Sequence, residues 1–291
     1  MRGIVTVLNT PFAADDTVDL EALRRNVEIA LEAGVAGFLV PAMAAEVGKL
    51  TADERLAMVR ATIDAVNGRV PVIGGASAPD ATSRESAARA LIDAGCSGVL
   101  ASLPYVDDAD YERHVRALAD MRPGFLMLQD WDFNGYGLPV PLIVRLFETI
   151  EAFAAIKIEV VPAGVKYSEV LAATGGELHV SGGWAVMQMI EAFDRGVHAV
   201  MPTAMHGIYT DIYRRYASGD RQSAKELFNR LLPVLAFSNQ HLDISIRFFK
   251  RLLWRQGVYP TDRVRPPILP FDATHAQIAD ELIDLVNELT P

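Results

Sequence analysis

Short apolar runs alternate along the chain with longer segments of helical period. The runs are GIVTVL (3–8), AGFLVP (36–41), VPVIGG (70–75), SGVLAS (97–102), GFLMLQ (124–129), FAAIKI (153–158), ELHVSG (177–182) and HAVMPT (198–203). Gly, Pro or Asp bounds each one. A continuous apolar run of this length predicts a strand buried on both faces, as in a parallel sheet. Between the runs lie amphipathic segments. DLEALRRNVEIALEAG sets Leu20, Leu23, Val27 and Leu31 at helical spacing and stops at Gly34. TADERLAMVRATIDAV opens on Thr51 with Glu54 three residues later, a capping box. SRESAARALIDAG reads the same way with Ser83 as the cap, and the helix after FAAIKI is expected to begin near Ala163.

A partial internal repeat favours one architecture. EAGVAGFLV (32–40), DAGCSGVLA (93–101) and DRGVHAVMP (194–202) share one design: a helix end, a glycine stop, a buried strand. Strand–helix units counted this way reach eight by residue 218, the number that closes a parallel barrel. The rival, a doubly wound open sheet, would carry a glycine-rich phosphate fingerprint after the first strand, and none is there. The expected fold is therefore α/β, a (β/α)8 TIM barrel over 1–218. The remainder, 219–291, is read as a C-terminal helical extension of three helices, with VYPTDRVRPPILPF as an extended linker between the second and third.

Composition narrows the function. The 291 residues include 27 basic and 37 acidic ones, a net charge of −10, with no cluster of Lys and Arg. That argues against nucleic acid as a partner. No run approaches the roughly 20 apolar residues of a membrane span, so no membrane is expected. Cys96 is the one cysteine, which excludes an intrachain disulfide and fits a reducing compartment. MRGIVTVLNTPF lacks the apolar core of a signal peptide, and a cytoplasmic location is expected. The six histidines are scattered without ligand spacing, so no metal site is expected.

Against this background Lys157 stands out, in the middle of the apolar run FAAIKI. Lysine is almost never fully buried without a partner. It falls near the C-terminal end of the sixth expected strand, where barrel enzymes place their sites. Two readings stay open. The lysine snorkels or pairs with Glu159, two residues on and so on the same strand face. Alternatively it is an amine nucleophile, kept neutral by a dry pocket and able to form a Schiff base with the carbonyl of a 2-keto acid. Lys166 and Lys49 sit in expected loops and are read as solvated; Lys250 falls in a helix of the extension.

The ordered set GIVTVLNTPF, PAMAAEVGKLTADER, VPVIGG, ASLPYVDD, IKIEV, SGGWA and HAVMPTAMHGIYTDIYRRYASGD resembles the dihydrodipicolinate synthase / N-acetylneuraminate lyase family over nearly the whole chain. The resemblance implies a barrel lyase that forms a Schiff base with pyruvate or a related 2-keto acid and needs no cofactor. It implies a homo-oligomer, a tetramer or a dimer. Lys157 falls at the family's Schiff-base lysine.

The departures cluster at the site. Ala42-Met43-Ala44-Ala45-Glu46 replaces the usual Gly-Thr-Thr-Gly-Glu, leaving the amides of Ala44 and Ala45 to hold a carboxylate and Glu46 to bond nearby backbone. Gln129 stands where the family has its acid/base tyrosine, and Gln carries no titratable proton. Val106 follows Tyr105 where the synthases keep a second tyrosine, and WDFNGYG has no counterpart of their arginine. The expected proton carriers are then Asp130 and Tyr105. Gln129 and His206 are expected to bind substrate, and Trp131, Asp132 and Asn134 to shape specificity. The expected activity is aldolase or dehydratase chemistry on pyruvate or a 2-keto-3-deoxy sugar acid. Authentic 4-hydroxy-tetrahydrodipicolinate synthesis, or a non-catalytic 2-keto-acid binder, are the alternatives.

Overall fold

A computed structural model describes residues 1–290. Its eight strands pair in chain order as a closed parallel barrel, with a helix after each strand and three more helices at the C-terminal end. This is the expected barrel with its helical extension. By internal packing the chain divides into two compact units, Met1–Arg2 with Pro71–Met201, and Gly3–Val70 with Pro202–Pro291.

The first unit holds strands β3 (Val72–Gly75), β4 (Gly98–Ser102), β5 (Leu126–Asp132), β6 (Phe153–Val160), β7 (His179–Gly182) and β8 (Ala199–Val200). Helices α3 (Ala81–Asp93), α4 (Asp108–Ala119), α5 (Val140–Thr149), α6 (Ala163–Ala173) and α7 (Met189–Asp194) connect them. β5 and β6 run two to three residues further than the apolar pattern suggests. They pair with each other from Leu126↔Phe153 out to Asp132↔Val160, so backbone bonding carries polar residues into the strands. β8 is shorter than expected because Pro202 follows Met201 and has no N–H for the ladder. The cap of α3 is Asp80, not Ser83. The Asp80 carboxylate accepts from the Ser83 amide at 2.8 Å and from its hydroxyl at 2.7 Å, and the helix starts three residues earlier than expected.

The second unit holds β1 (Gly3–Val7) and β2 (Gly37–Val40), paired in parallel from Val5↔Gly37. Around them lie α1 (Leu20–Ala33), α2 (Ala52–Val66), α8 (His206–Ala217) and the extension helices α9 (Arg221–Ser238), α10 (Leu242–Arg255) and α11 (Ala273–Leu289). The Thr51–Glu54 capping box forms as read, and Gly34 ends α1 at φ 89, a left-handed turn that suits glycine. The linker after α10 is tied to β1's end: the Tyr259 hydroxyl donates to Asn9 O at 3.0 Å, and Thr261 Oγ1 to Phe12 O at 2.6 Å. Among the described residues no helix is long and apolar enough to cross a membrane.

Candidate active site

Strand alternation assigns the faces. Gly74 has no room for a side chain against Leu91 of α3, so its face looks toward the helices. Register then puts Ser102, Gln129, Lys157 and Ser181, on four successive strands, on the opposite, inward face at one level. One layer below lie Leu100, Met127 and Ala155, with His179 completing the row on β7. A polar layer at the C-terminal ends of the strands is the usual place for barrel chemistry.

Lys157 is 7 % exposed, and its Nζ lies 3.1 Å from Glu159 Oε2. The same oxygen accepts a hydrogen bond from Gln129 Nε2 at 2.5 Å. Strand geometry explains the first contact: residues two apart share a face. Register explains the second, since Gln129 sits opposite Lys157, one layer below Glu159. Of the non-catalytic reading, the snorkelling half falls and the pairing with Glu159 is what the structure shows, as a buried ion pair that puts the amine and a carboxylate in one polar pocket. A Cβ at Gly183 would collide with Glu159 Oε1 and with Lys157 Cε. Glycine at this position is what lets the pair sit side by side.

Asp130 does not reach this pocket. It follows Gln129 directly and therefore points the other way, toward the helices. There its Oδ2 lies 2.6 Å from Lys166 Nζ, and its Oδ1 accepts from the Leu138 amide at 2.9 Å. Lys166, expected in solvent, is fully buried. It donates to the carbonyls of Tyr136 at 2.5 Å and Leu138 at 2.6 Å. Burial pushes the Asp130 carboxyl up and the Lys166 ammonium down, each opposed by the other's charge. This pair anchors the loop after β5 and is unavailable as an acid or base beside Lys157. In that loop Asp132 accepts from the amides of Asn134 and Gly137, at 3.0 and 3.3 Å, so it builds the turn. Trp131, on the inward face opposite Glu159, meets Phe133 edge-on at 5.5 Å.

Tyr105 is exposed, and its hydroxyl donates to Asp108 at 2.8 Å. That bond raises the phenol above its ordinary range, which suits neither a base nor an acid at neutral pH. His206, the first residue of α8, has both ring nitrogens engaged: Nδ1 with Thr6 Oγ1 at 3.2 Å and Nε2 with Asn26 Oδ1 at 3.0 Å. No nitrogen remains for a substrate. Burial pushes its pKa down to about 4. Between pH 6.5 and 4 the unfolded chain binds a proton that the folded imidazole refuses. Stability is therefore fully present above pH 6.5 and falls as the pH drops through that window, by up to about 3 kcal/mol for this group. His206→Gln should flatten the dependence of Tm on pH there, and an unchanged slope would place the acid sensitivity elsewhere.

The Ala42–Ala45 turn is held from below. Asn9 Nδ2 donates to Ala44 O at 2.8 Å and Thr10 Oγ1 to Ala45 O at 2.6 Å. The Ala45 amide donates to Ala42 O at 2.8 Å, so of the two expected carboxylate donors Ala45 is already committed. Glu46, at φ 57, closes the turn. It pairs with Lys250 of α10 at 2.7 Å, both side chains wholly buried, and accepts from the Arg265 amide at 2.9 Å. Lys49 also reaches it at 3.4 Å rather than standing in solvent. Burial lowers the Lys250 ammonium to about 8. Glu46 does bond backbone, but at Arg265, and both that amide and its main partner Lys250 come from the C-terminal extension rather than from the loop after β2.

Ser102 and Ser181 share the lysine's layer and carried no signal in the sequence beyond the SGGWA stretch; only register identifies them. Among the described residues no group of three or more His, Cys, Asp or Glu side chains is placed to hold a metal.

The chain is similar to known proteins along its whole length. The profile of the Dihydrodipicolinate synthetase family matches residues 1–285. The L-2-keto-3-deoxyarabonate dehydratase of Azospirillum brasilense is 28% identical over 303 aligned positions, covering 100% of this chain and 95% of that one. The 4-hydroxy-tetrahydrodipicolinate synthase of Salinibacter ruber is 36% identical over 121 residues, 40% of either chain. Among solved structures, YagE of E. coli K12, a dihydrodipicolinic acid synthase family protein in complex with pyruvate, superposes with a TM-score of 0.86. It is 22% identical and covers 99% of this chain and 98% of its own, a likeness of fold.

Proposed function

The chain belongs to the dihydrodipicolinate synthetase family, and we propose that it is a lyase in which Lys157 forms a Schiff base with a 2-keto acid. The observation that carries this is a buried amine on the inward face of β6, in a polar layer shared with Ser102, Gln129 and Ser181, 3.1 Å from a carboxylate. A primary amine in such a pocket attacks a ketone carbon, loses water and leaves an iminium. The iminium draws electrons from the bond to C3, which allows proton loss, elimination of a C4 hydroxyl or cleavage of the C3–C4 bond.

The substrate class proposed is pyruvate or a 2-keto-3-deoxy sugar acid, handled by dehydratase or aldolase chemistry. The full-length likeness to a 2-keto-3-deoxyarabonate dehydratase supports it. So does the lack, in WDFNGYG, of the arginine expected of a synthase. The Ala44 amide is the proposed carboxylate donor, now that Ala45 is committed. A cytoplasmic setting and assembly into dimers or tetramers belong to the same proposal.

Borohydride trapping tests the reading. The full chain is incubated with pyruvate, reduced and weighed, then digested. A stable adduct on the peptide bearing Lys157 is the expected result. No adduct with pyruvate or with longer 2-keto acids would overturn it.

A further inference from the structure

We propose that Glu159 is the proton carrier of this site and that Gln129 is the residue that positions it. The proposal rests on the Schiff-base reading of Lys157 and supplies what that reading lacks, a titratable group where the family tyrosine is replaced by Gln129.

Three observations carry it. First, Glu159 Oε2 lies 3.1 Å from Lys157 Nζ, within direct reach for proton transfer. The two residues lie on one face of one strand, so β6 itself sets their separation. Second, Gln129 Nε2 donates to that same oxygen at 2.5 Å. An amide donor has no titratable proton, so it orients the carboxylate without competing for the proton. Third, Gly183 leaves space beside Glu159 Oε1 and Lys157 Cε that any larger residue would fill. The other groups considered are engaged elsewhere. Asp130 faces Lys166, Tyr105 bonds Asp108, and His179 lies a layer lower with its ring nitrogens on Met1 O and Ser181 Oγ.

The chemistry balances with this one carboxylate. Glu159 takes a proton from the Lys157 ammonium and frees its lone pair for attack on C2 of the keto acid. In the adduct a second nitrogen proton moves to the former carbonyl oxygen. Glu159 then returns its proton to that hydroxyl, which leaves as water. Ammonium and ketone have become iminium and water, with the carboxylate regenerated. The carboxylate next removes a proton from C3. The C3–H pair becomes the C2=C3 bond, and the C=N pair returns to nitrogen, giving an enamine. Running this step backwards in heavy water places deuterium at C3.

The test separates this proposal from the reading beneath it. Pyruvate is incubated with the full chain in heavy water, and loss of its methyl proton signal is followed by NMR. Borohydride trapping is run in parallel. The wild type should exchange and trap. Glu159→Gln should still trap an adduct on Lys157 but exchange at least about 100-fold more slowly, the scale of general acid–base catalysis. Gln129→Leu should trap normally and exchange more slowly. Glu159→Asp keeps the charge beside Lys157 and shortens its reach. It should fold and exchange at an intermediate rate, and it decides the matter if Glu159→Gln does not fold. Wild-type exchange in a folded Glu159 variant that still traps would overturn the proposal and leave the Schiff base standing. So would a wild type that traps without exchanging. Failure of the wild type to trap any 2-keto acid would remove both.

Discussion

Lys157→Ala should lower turnover by about 10⁶-fold, the scale on which a covalent nucleophile contributes, and should abolish the borohydride adduct. No neighbour can take over. Glu159 carries no nitrogen and so cannot form an iminium, and Lys166 is buried on the opposite face, tied to Asp130 and two carbonyls. Lys157→Arg makes the same point from the other side. It preserves a cation beside Glu159, yet a guanidinium is not deprotonated in proteins and forms no Schiff base. Both variants should be equally inactive, while Arg retains more of the wild-type Tm. The measurement is kcat/KM against a panel of 2-keto-3-deoxy sugar acids, with melting curves alongside. Substantial activity in either folded variant would detach Lys157 from the chemistry.

The second large effect concerns stability. Lys166→Met should destabilise the protein by about 3–5 kcal/mol, because it leaves the Asp130 carboxylate buried without its cation. It also strips a donor from the carbonyls of Tyr136 and Leu138. For a chain of this length that corresponds to a fall in Tm of roughly 5–8 °C. Removing both charges, as Lys166→Met with Asp130→Leu, should recover part of the loss, since no uncompensated charge then remains. Equal Tm values for the single and double variants would show that the carbonyls, not the charge, dominate. The pinned loop carries Phe133, which packs on Trp131 at the end of β5, so the single variant should also raise KM for bulky substrates.

The strand–helix count was legible along the chain because buried parallel strands must be apolar on both faces, and eight such runs stand out. Lys157 was legible for the converse reason: a lysine inside an apolar run needs an explanation. Asp130 shows where residue type misleads. A carboxylate beside the family's tyrosine position looks like a base, yet side-chain alternation turns it away from Gln129 and Lys157. Lys166 shows the same limit. A polar neighbourhood in sequence suggested solvent, but α6 folds it onto the back of β5. The extents of β5 and β6 were missed because polar residues lengthen a strand when their backbones pair.

What the sequence determined by itself was the barrel, the level of the site along its strands and the one amine in a buried run. These follow from local periodicity and from the cost of burying charge. What only the tertiary structure decided was which groups meet that amine. Glu159 could have turned to solvent and Gln129 could have been packing. The parallel register of β5 on β6 sets Gln129 opposite Lys157, and glycine at 183 leaves room for the carboxylate beside it. Register depends on pairing between segments distant in the chain, and no periodicity within one segment encodes it.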